Sequence, residues 1–543
     1  MTTDGPTGRG AGARRLLCGA LFALSALGLY LHMRRFAFVT DDAFISFVYA
    51  RNLAEHGQLV FNLGERVEGY TNFLWTVFLA GWMRLGWQPE SSSIVWGVLC
   101  ALGTMLVCGR LVSQAHRRPA WTSPWEAVPA LFLAALPGYA CWSSGGLETQ
   151  LFTFLVTLGS ALHLAASEEE GPGPAAGLVF GLAALTRPEG NLFFALALAH
   201  RQVERWRQVG KTGRFWPSRR ELLSIACFLA LVVPHFLWRH HYYGWWLPNT
   251  FYIKSSGGRG AWGRGLYYLR RATEQHALWA PLALLLLGWA ATTARPVRRL
   301  ASYTTLFVAV FALYVISVGG DFMGLFRFSM PVVPLLVTAG AVGLRALLAR
   351  LYRRRAPAAL AAGVVAALFA VHLWHADAVD RAALAIGSDN GIDTPGYLRW
   401  YTRDRALIGQ WFGRYAQPDD YAAVGGAGAQ VYYSRMRSLD CFGLSDEYIA
   451  HQVPAASDRP GHQKYAPLEY QLSRRPTIIT SNYYRIGPSP RCCPPLSDEA
   501  AWRARGYHYV SVQIPGLSSP WYTFLKRMDR TLGPFGPING DID

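Results

Sequence analysis

Apolar runs of about 16–22 residues recur through roughly the first two thirds of this chain and constrain its fold more than any other feature. An α-helix of about 20 apolar residues crosses the hydrocarbon core of a bilayer. Only 16% of the 543 residues are charged and 52% are hydrophobic, a composition that excludes an ordinary soluble globular protein. The sequence therefore predicts an α-helical polytopic membrane protein, with the lipid bilayer as its first partner.

Clusters of arginine indicate how these runs are oriented in the membrane. The net charge of +18 would indicate nucleic-acid binding in a soluble domain, but most arginines lie in loops between apolar runs. Cytoplasmic loops carry such a basic excess, so we expect these loops inside and no nucleic-acid partner. This orientation requires that the apolar segment 73–87 does not cross the membrane. It then predicts about 11 transmembrane helices, at residues 16–33, 92–112, 125–140, 147–166, 175–187, 190–200, 221–238, 276–292, 300–317, 329–350 and 357–374.

The polar motifs between the apolar runs fall on the opposite, extracytoplasmic side in this orientation. They contain acidic, aromatic and amide side chains, whereas the cytoplasmic loops contain mostly arginine. Loops on one face of a helical scaffold can together form one site. The sequence therefore predicts an extracytoplasmic site built from residues 41–42, 64–72, 143–149, 186–190, 241–256 and 319–328.

A change of composition near residue 375 predicts a domain boundary. We expect a transmembrane catalytic domain over 1–374 and a soluble extracytoplasmic domain over 375–543. The second is expected to be a small α/β structure, with a helix at 404–415 and strands at 422–434, 477–482 and 507–515. Its GGAGAQ segment lacks the spacing of a dinucleotide-binding loop.

Two adjacent aspartates follow the first apolar run. Asp41 and Asp42 precede the segment 44–55, whose apolar spacing predicts a short helix. The positive end of a helix favours ionised carboxylates, and Arg34 and Arg35 nearby would also keep Asp41 ionised and lower its basicity.

A second charged cluster decides between two interpretations of this pair. An acidic pair at a helix start is often only a cap. The motif GERVEGYTN, with Glu65, Arg66 and Glu68, follows at the same membrane surface and favours a catalytic role.

Sugar transfer from a polyprenyl-phosphate donor suits this arrangement. An enzyme on the extracytoplasmic face receives its activated substrate through the lipid, and such donors join a lipid tail to a phosphate leaving group. Transfer needs a base for the acceptor hydroxyl, cations for the phosphate and polar groups for the sugar. The candidates are Asp41 or Asp42 as base, Lys254, Arg187, Arg259 or Arg327 as cations, and Tyr242, Tyr243, Trp245, Trp246 and Asn249 as sugar contacts.

Structural roles stay open for several of these residues. Arg187 and Glu189 could form an ion pair, since charges in membranes usually pair, and Glu148 could cap a helix. Asp321 could shape its glycine-rich loop or hold a sugar hydroxyl, and the aromatic residues could anchor the membrane interface. Carboxylates could ligate a divalent cation, but no spacing demands one, so the sequence defines no certain cofactor or metal ligand.

The order of seven motifs is more specific than any single one. The chain contains, in this order, DDAFISFVYARNL, FNLGERVEGYTNFLW, SGGLET, LTRPEG, HYYGWWLPNTFYIKSS, GGDFM and LDCFGL. In this order they resemble the membrane arabinofuranosyltransferases of the GT-C superfamily, in particular the mycobacterial terminal β-(1→2)-arabinofuranosyltransferase family. The resemblance covers roughly residues 16–375, with a fainter similarity in the C-terminal domain.

The resemblance implies a GT-C fold, a decaprenyl-phosphoryl arabinofuranose donor and a catalytic aspartate in the first extracytoplasmic loop. That role falls on Asp41, with Asp42 beside it. The resemblance assigns Glu65, Arg66 and Glu68 to the framework of the active site. The family pattern YYG…P.T…K matches Tyr242, Tyr243, Gly244, Pro248, Thr250 and Lys254, with Lys254 as the leading phosphate ligand.

The combined expectation is a multi-pass glycosyltransferase of the bacterial inner membrane. It would move a pentose, arabinofuranose or a related sugar, from a polyprenyl-phosphate donor to a cell-envelope glycan acceptor on the extracytoplasmic face. A GT-C transferase acting on lipid A or protein is an alternative within the same class. A transporter of lipid-linked sugars is another, but it would be expected to show internal repeats and charges near the membrane midplane.

Overall fold

The computed structural model divides the chain into two compact units, each built from three separate stretches of sequence. The first unit contains Met1–Ala37, Ser93–Trp238 and Arg259–Ala385, and the second contains Phe38–Ser92, Arg239–Gly258 and Ile386–Asp543. The structure describes residues 8–166, 170–207, 216–254, 260–352, 357–457, 459, 461–490 and 499–535, without the side chains of 8–11 and 254.

Long apolar helices form most of the first unit, and two of them, Pro89–Ala115 and Arg219–Tyr243, include a few residues assigned to the second unit. Among the described residues, six helices are long and apolar enough to cross a membrane: Gly12–Phe36, Pro89–Ala115, Arg219–Tyr243, Arg295–Val318, Val333–Leu351 and Ala358–Leu384. Shorter helices are Val128–Ala134, Pro137–Cys141, Thr149–Ala165, Pro174–Thr186, Glu189–Trp206, Gly260–Gln275 and Trp279–Ala291. A helix lies at every predicted span, although 125–140 is interrupted before Pro137, whose ring cannot continue the preceding helix.

Small residues allow two of these helices to cross at close range. A Cβ atom on Gly288, in the helix Trp279–Ala291, would lie 2.2 Å from Cα of Gly343 in the helix Val333–Leu351. A Cβ atom on Gly343 would lie 2.2 Å from the carbonyl oxygen of Leu284. This contact explains the paired glycines, because backbones of membrane helices approach each other where side chains are small.

A mixed six-stranded sheet forms the centre of the second unit. Its strands are β3 (Tyr421–Val424), β4 (Arg437–Asp440), β5 (Ile478–Thr480), β6 (Arg485–Gly487), β7 (Tyr507–Gln513) and β8 (Trp521–Arg527); β1 (Ser388–Asp389) and β2 (Ile392–Asp393) form a separate pair. β3 pairs in parallel with β4 and β5. β8 pairs antiparallel with β7 along one edge and with β5 and β6 along the other.

The second unit also contains helices, as the prediction of an α/β domain required. They are Asp41–His56, Phe73–Arg84, Asn249–Lys254, Pro395–Tyr415, Ala429–Ser434, Glu447–Gln452, Leu468–Ser473 and Glu499–Ala504. The predicted strand at 422–434 is wrong beyond Val424. Glycines 425, 426 and 428 end the strand, and the residues after them form a helix that stops at Arg435, whose φ is 56°.

The helix Asp41–His56 connects the first loop to the C-terminal part of the second unit. Its residues from Ala43 to Asn52 are all buried. Phe44 packs on Tyr432 with ring centroids 5.4 Å apart, and Nη1 of Arg51 donates a hydrogen bond of 2.6 Å to the carbonyl oxygen of Tyr432. The predicted short helix is confirmed, and its position is fixed by packing against distant residues of the chain.

Candidate active site

Asp41 and Asp42 form the first turn of their helix, as the sequence predicted. Thr40 precedes them in extended conformation, and its side chain makes no capping hydrogen bond. The Oδ1 atom of Asp41 instead accepts a hydrogen bond of 2.8 Å from the backbone N–H of Ala429. A backbone donor therefore fixes the orientation of the Asp41 carboxylate.

Gly428 permits this contact. A Cβ atom at this position would lie 2.0 Å from the carbonyl oxygen of Asp41 and 2.6 Å from its side-chain carboxyl carbon. Real Cβ atoms do not approach backbone that closely, so any side chain here would displace Asp41. The GGAGAQ segment thus serves as a close-packing surface for the aspartate.

The electrostatic environment of Asp41 differs from the sequence prediction. Burial raises the pKa of this carboxyl group, while the Ala429 N–H and the positive charge of Arg405 oppose the rise. Arg405 is the cation that acts on Asp41, whereas Arg35 forms an ion pair of 2.8 Å with Asp380, and the expected effect of Arg34 and Arg35 on Asp41 stays a prediction. Asp41 is therefore a stronger base than the helix start alone would make it.

Arg405 is a functional candidate that the sequence analysis missed. Its buried guanidinium lies over the rings of Tyr401 and Tyr484, 4.8 Å and 4.2 Å from their centroids, and Nη1 donates to the side-chain oxygen of Gln430 at 3.3 Å. Burial lowers the pKa of Arg405, but the nearby tyrosines and Asp41 outweigh it, so the net pKa is raised. Within the described residues, no carboxylate forms an ion pair with Arg405.

The sequence contains one signal for Arg405. In the helix Pro395–Tyr415 the buried residues Leu398, Ile408 and Phe412 recur at helical spacing, and Arg405 lies on the same face. An arginine on the apolar face of a soluble helix is unusual, because burying its charge is costly unless another group compensates.

The GERVE motif lies in the second unit and is tied to two other segments. Glu65 accepts hydrogen bonds from Arg437, from Arg474 at 3.2 Å and from Asn62 at 2.9 Å. The guanidinium of Arg66 lies 4.8 Å from the ring centroid of Tyr242. This motif therefore connects its loop to both the 239–258 segment and the C-terminal region.

Glu68 is a buried carboxyl group with an unusual pKa. Its Oε2 atom lies 3.6 Å from Nε of Arg239, and burial raises its pKa to about 8 despite this cation. A small cavity beside it is lined by Arg66, Tyr243 and Asn249 among others. A carboxyl group that titrates near neutral pH at a cavity is a second acid–base candidate.

The predicted aromatic contacts divide into buried and exposed residues. Tyr243 is buried; its hydroxyl donates to the carbonyl oxygen of Leu59 at 2.7 Å and lies 3.1 Å from that of Tyr70. Trp245 is partly exposed and stacks on His451 with centroids 3.8 Å apart. Tyr243 therefore stabilises the loop between Leu59 and Tyr70, whereas part of the Trp245 ring is exposed to solvent.

Asn249 holds the loop that contains LDCFGL. Its side-chain amide donates to the carbonyl oxygens of Gly443, Leu444 and Asp446 at 2.9–3.1 Å. The helix Asn249–Lys254 begins here. The predictions for the side chain of Lys254 and for Arg259 fall outside the described part of the chain.

Arg187 and Asp321 lie in the first unit, each in an ion pair. Arg187 donates to Glu148 at 2.6 Å and to Glu189 at 3.0 Å. Asp321 pairs with Arg327. Glu148 makes no side-chain cap, so the capping interpretation is wrong and the ion-pair interpretation is confirmed.

One further group of side chains could hold a metal ion among the described residues. His163, His200 and Glu204 place ligand atoms within 4.8 Å of one another in the first unit. Glu204 is also bound by Arg299 at 2.6 Å and lies 3.8 Å from Arg201. These guanidiniums already neutralise the carboxylate and repel a cation.

Comparison with known proteins agrees with the resemblance seen in the motifs. The terminal beta-(1->2)-arabinofuranosyltransferase of Mycobacterium tuberculosis is 31% identical over 272 residues, which cover 47% of this chain and 41% of that protein. The protein of the same name from Corynebacterium glutamicum is 26% identical over 330 residues, which cover 52% and 45%. The chain therefore spans less than half the length of these curated relatives.

Similarity of structure extends much further along the chain. The crystal structure of ArnT from Cupriavidus metallidurans bound to undecaprenyl phosphate matches with a TM-score of 0.54 at 16% identity, covering 93% of this chain and 97% of that one. The fold is of the GT-C type. This confirms the predicted fold class, a polytopic membrane protein with a C-terminal α/β region.

The C-terminal region also matches a family model of its own. Residues 396–525 match the model described as Domain of unknown function (DUF8728). The match begins at the start of the helix that carries Arg405 and ends within β8. It therefore includes Ala429, the donor to Asp41.

Proposed function

We propose that the chain is a glycosyltransferase that moves arabinofuranose, or a related pentose, from a polyprenyl-phosphate donor to a cell-envelope glycan. Sequence similarity to two arabinofuranosyltransferases supports the sugar. The GT-C neighbour was solved with undecaprenyl phosphate, a lipid of the class we propose for the donor. The observation that carries the proposal is the oriented Asp41 carboxylate, whose raised pKa suits a general base.

In the proposed reaction Asp41 removes the proton from an acceptor hydroxyl group. The acceptor oxygen then attacks the anomeric carbon of the donor sugar, and the bond from that carbon to the phosphate oxygen breaks. The electron pair leaves with the polyprenyl phosphate. Preorganised cations stabilise the charge that develops on this leaving group.

The remaining site residues are proposed for binding. Lys254 binds the donor phosphate, and Asp42 orients the acceptor next to Asp41. Glu65, Arg66 and Glu68 form the framework of the site. Donor contacts are proposed for Tyr242 and Asp321, whereas Tyr243 and Arg187 are proposed to support donor binding indirectly, by holding the loops that they stabilise.

A transfer assay with purified full-length protein tests this function. The donor panel contains polyprenyl phosphates carrying arabinofuranose, another pentose and a hexose, and the acceptor is an arabinan oligosaccharide. We expect transfer from the arabinofuranose donor, and a loss of about 10²–10⁴-fold in turnover in Asp41→Asn. Asp529→Asn, which changes an exposed aspartate of the same unit, is the matched control. No transfer from any donor, or normal turnover in Asp41→Asn, would contradict the proposal.

We also propose that the site faces the extracytoplasmic side of a bacterial inner membrane. The arginine-rich loops support this orientation through the positive-inside rule. A C-terminal fusion to alkaline phosphatase, which is active only outside the cytoplasm, should be active. A fluorescent reporter that matures only in the cytoplasm should stay dark at the same terminus, and a bright signal would reverse the orientation.

A further inference from the structure

A cavity of about 500 Å³ lies in the first unit, where three membrane helices end or begin. Four arginines line it: Arg110, Arg117, Arg295 and Arg299. None of the described lining residues is acidic. The cavity is therefore a concave, positively charged surface.

This cavity is separate from the ion pairs of Arg187 and Asp321. It lies at the C-terminal end of the helix Thr149–Ala165, whereas Glu148, the partner of Arg187, precedes the other end. It lies at the first residues of the helix Arg295–Val318, whereas Asp321 follows the last. Helices of these lengths separate the two places by roughly 25 Å or more.

Two of the four arginines lack a carboxylate partner among the described residues. Arg299 is neutralised by Glu204, at 2.6 Å and 3.1 Å. Arg110 and Arg117 are exposed, and the described part of the chain gives neither an ion pair. Arg117 also has a φ of 50°, a conformation that a non-glycine residue adopts at a cost.

The surroundings of these two arginines strengthen the positive potential. The helix Arg295–Val318 begins at the cavity, so its positive end contributes. Burial and the charges of Arg345 and Arg118 lower the pKa of His116 to about 3. With this pKa, His116 is neutral near pH 7, as expected for an imidazole in a positive potential. It lies between the lining residues Ala115 and Arg117 in the sequence.

We propose that this cavity binds a phosphate group carried by an anionic lipid, with Arg110 and Arg117 as its ligands. Guanidinium groups bind phosphate oxygens through charge-assisted hydrogen bonds. Leu111 and Leu300 line the same cavity and can contact the first carbons of the acyl chains. Basic pockets at the cytoplasmic ends of membrane helices are a recurrent form of lipid headgroup site. The proposal does not rest on the transfer reaction.

Native mass spectrometry of the purified full-length protein tests the proposal. The probes are phosphatidylglycerol and phosphatidylcholine with identical acyl chains, added to detergent-solubilised protein. We expect phosphatidylglycerol to bind at least tenfold more tightly, and the double variant Arg110→Gln/Arg117→Gln to lose this preference. The control is Arg219→Gln/Arg298→Gln, which removes the same charge from exposed arginines that do not line the cavity.

Each outcome decides between specific binding and its alternatives. Equal loss in both double variants would show that the lipid responds only to general surface charge and would overturn the proposal. Unchanged binding in Arg110→Gln/Arg117→Gln would do the same. The same experiment is repeated with about 10 mM inorganic phosphate as a competitor. If phosphate displaces phosphatidylglycerol and its own binding depends on the same two arginines, the site belongs to free phosphate and the proposal is overturned. Matching thermal midpoints of the two double variants would exclude misfolding as the cause of a loss.

Discussion

The carboxylate of Asp41 accepts a hydrogen bond of 2.8 Å from the backbone N–H of Ala429, 388 positions later in the chain. The aspartate therefore obtains its orientation from the C-terminal region, while its own helix supplies only its position. A residue at the start of a helix can adopt several rotamers, and a fixed external donor selects one of them. The consequence is that substitutions around residue 429 should change the chemistry assigned to residue 41.

Gly428→Ala should reduce turnover by at least about tenfold, because a misplacement of about 1 Å can cost up to about 10²-fold. The added Cβ would lie 2.0 Å from the carbonyl oxygen of Asp41 and force the aspartate to move. Steady-state kinetics with saturating donor and acceptor would measure the effect on kcat. The matched control is Gly425→Ala in the same loop, whose Cβ would meet Ser481 at an ordinary 3.4 Å. Equal losses in the two variants would remove the link to Asp41.

Arg405→Gln should shift the acidic limb of the pH–rate profile to higher pH. The positive charge of Arg405 lowers the pKa of Asp41, against the larger effect of burial, so its removal raises that pKa further. A base with a higher pKa is protonated, and inactive, over a wider acidic range. The measurement is kcat/KM of the transfer reaction as a function of pH.

Two variants separate this electrostatic effect from damage to the fold. Arg405→Lys retains the charge and should keep the acidic limb close to that of the wild type. Arg403→Gln changes an exposed arginine two residues away on the same helix and should leave the limb unchanged. If Arg405→Gln only lowers the plateau without moving the limb, Arg405 acts through packing alone.

The sequence predicted those parts of the fold that depend on local patterns. Helix-length apolar runs and arginine-rich loops are local signals, so a helix was expected at each observed span. The prediction of a strand over 422–434 was wrong after Val424, although the segment contains residues typical of strands. Its glycines form a turn, and the helix Ala429–Ser434 follows that turn. That helix is stabilised by tertiary contacts with Phe44 and Arg51, which no local pattern contains.

The candidate site was predictable only in part for the same reason. Adjacent carboxylates at a helix start indicated Asp41, and charge spacing indicated that Arg187 could pair with Glu189. Arg405 and Ala429 were missed because their relation to Asp41 depends on a long-range contact within the second unit. The sign of the Asp41 pKa shift was wrong because burial, which a sequence does not reveal, outweighs the helix start.

Arg187→Met should destabilise the protein by about 3–5 kcal/mol, the usual cost of removing one partner of a buried ion pair. Glu148 and Glu189, both buried, would then lose the cation that they share. Thermal unfolding in detergent would measure the loss, and Glu148→Gln in the same protein should restore part of it. Arg270→Met, at an exposed pair with Glu274, should leave the midpoint unchanged. Normal stability with a raised KM for the donor would instead make Arg187 a direct donor ligand.

Glu68→Gln should flatten the dependence of stability on pH between about pH 5 and pH 8. Burial raises the pKa of Glu68 to about 8 in the folded protein, whereas the pKa of a glutamate in an unfolded chain is about 4.3. Between these values the folded state holds a proton that the unfolded state has released, so the free energy of unfolding falls as the pH rises. The slope is about 1.4 kcal/mol for each pH unit at most, and a glutamine has no proton to lose.

The measurement is the thermal midpoint of wild type and Glu68→Gln at several pH values in the same detergent. The wild-type midpoint should fall from pH 5 to pH 8 more steeply than that of the variant, and the two curves should converge at the acidic end. Glu469→Gln, which removes an exposed carboxylate of the same unit, should follow the wild type throughout. Parallel curves for wild type and Glu68→Gln would mean that Arg239, 3.6 Å away, keeps Glu68 ionised in the folded protein. The acid–base assignment of Glu68 would then be lost, and its role would be that of an ion-pair partner.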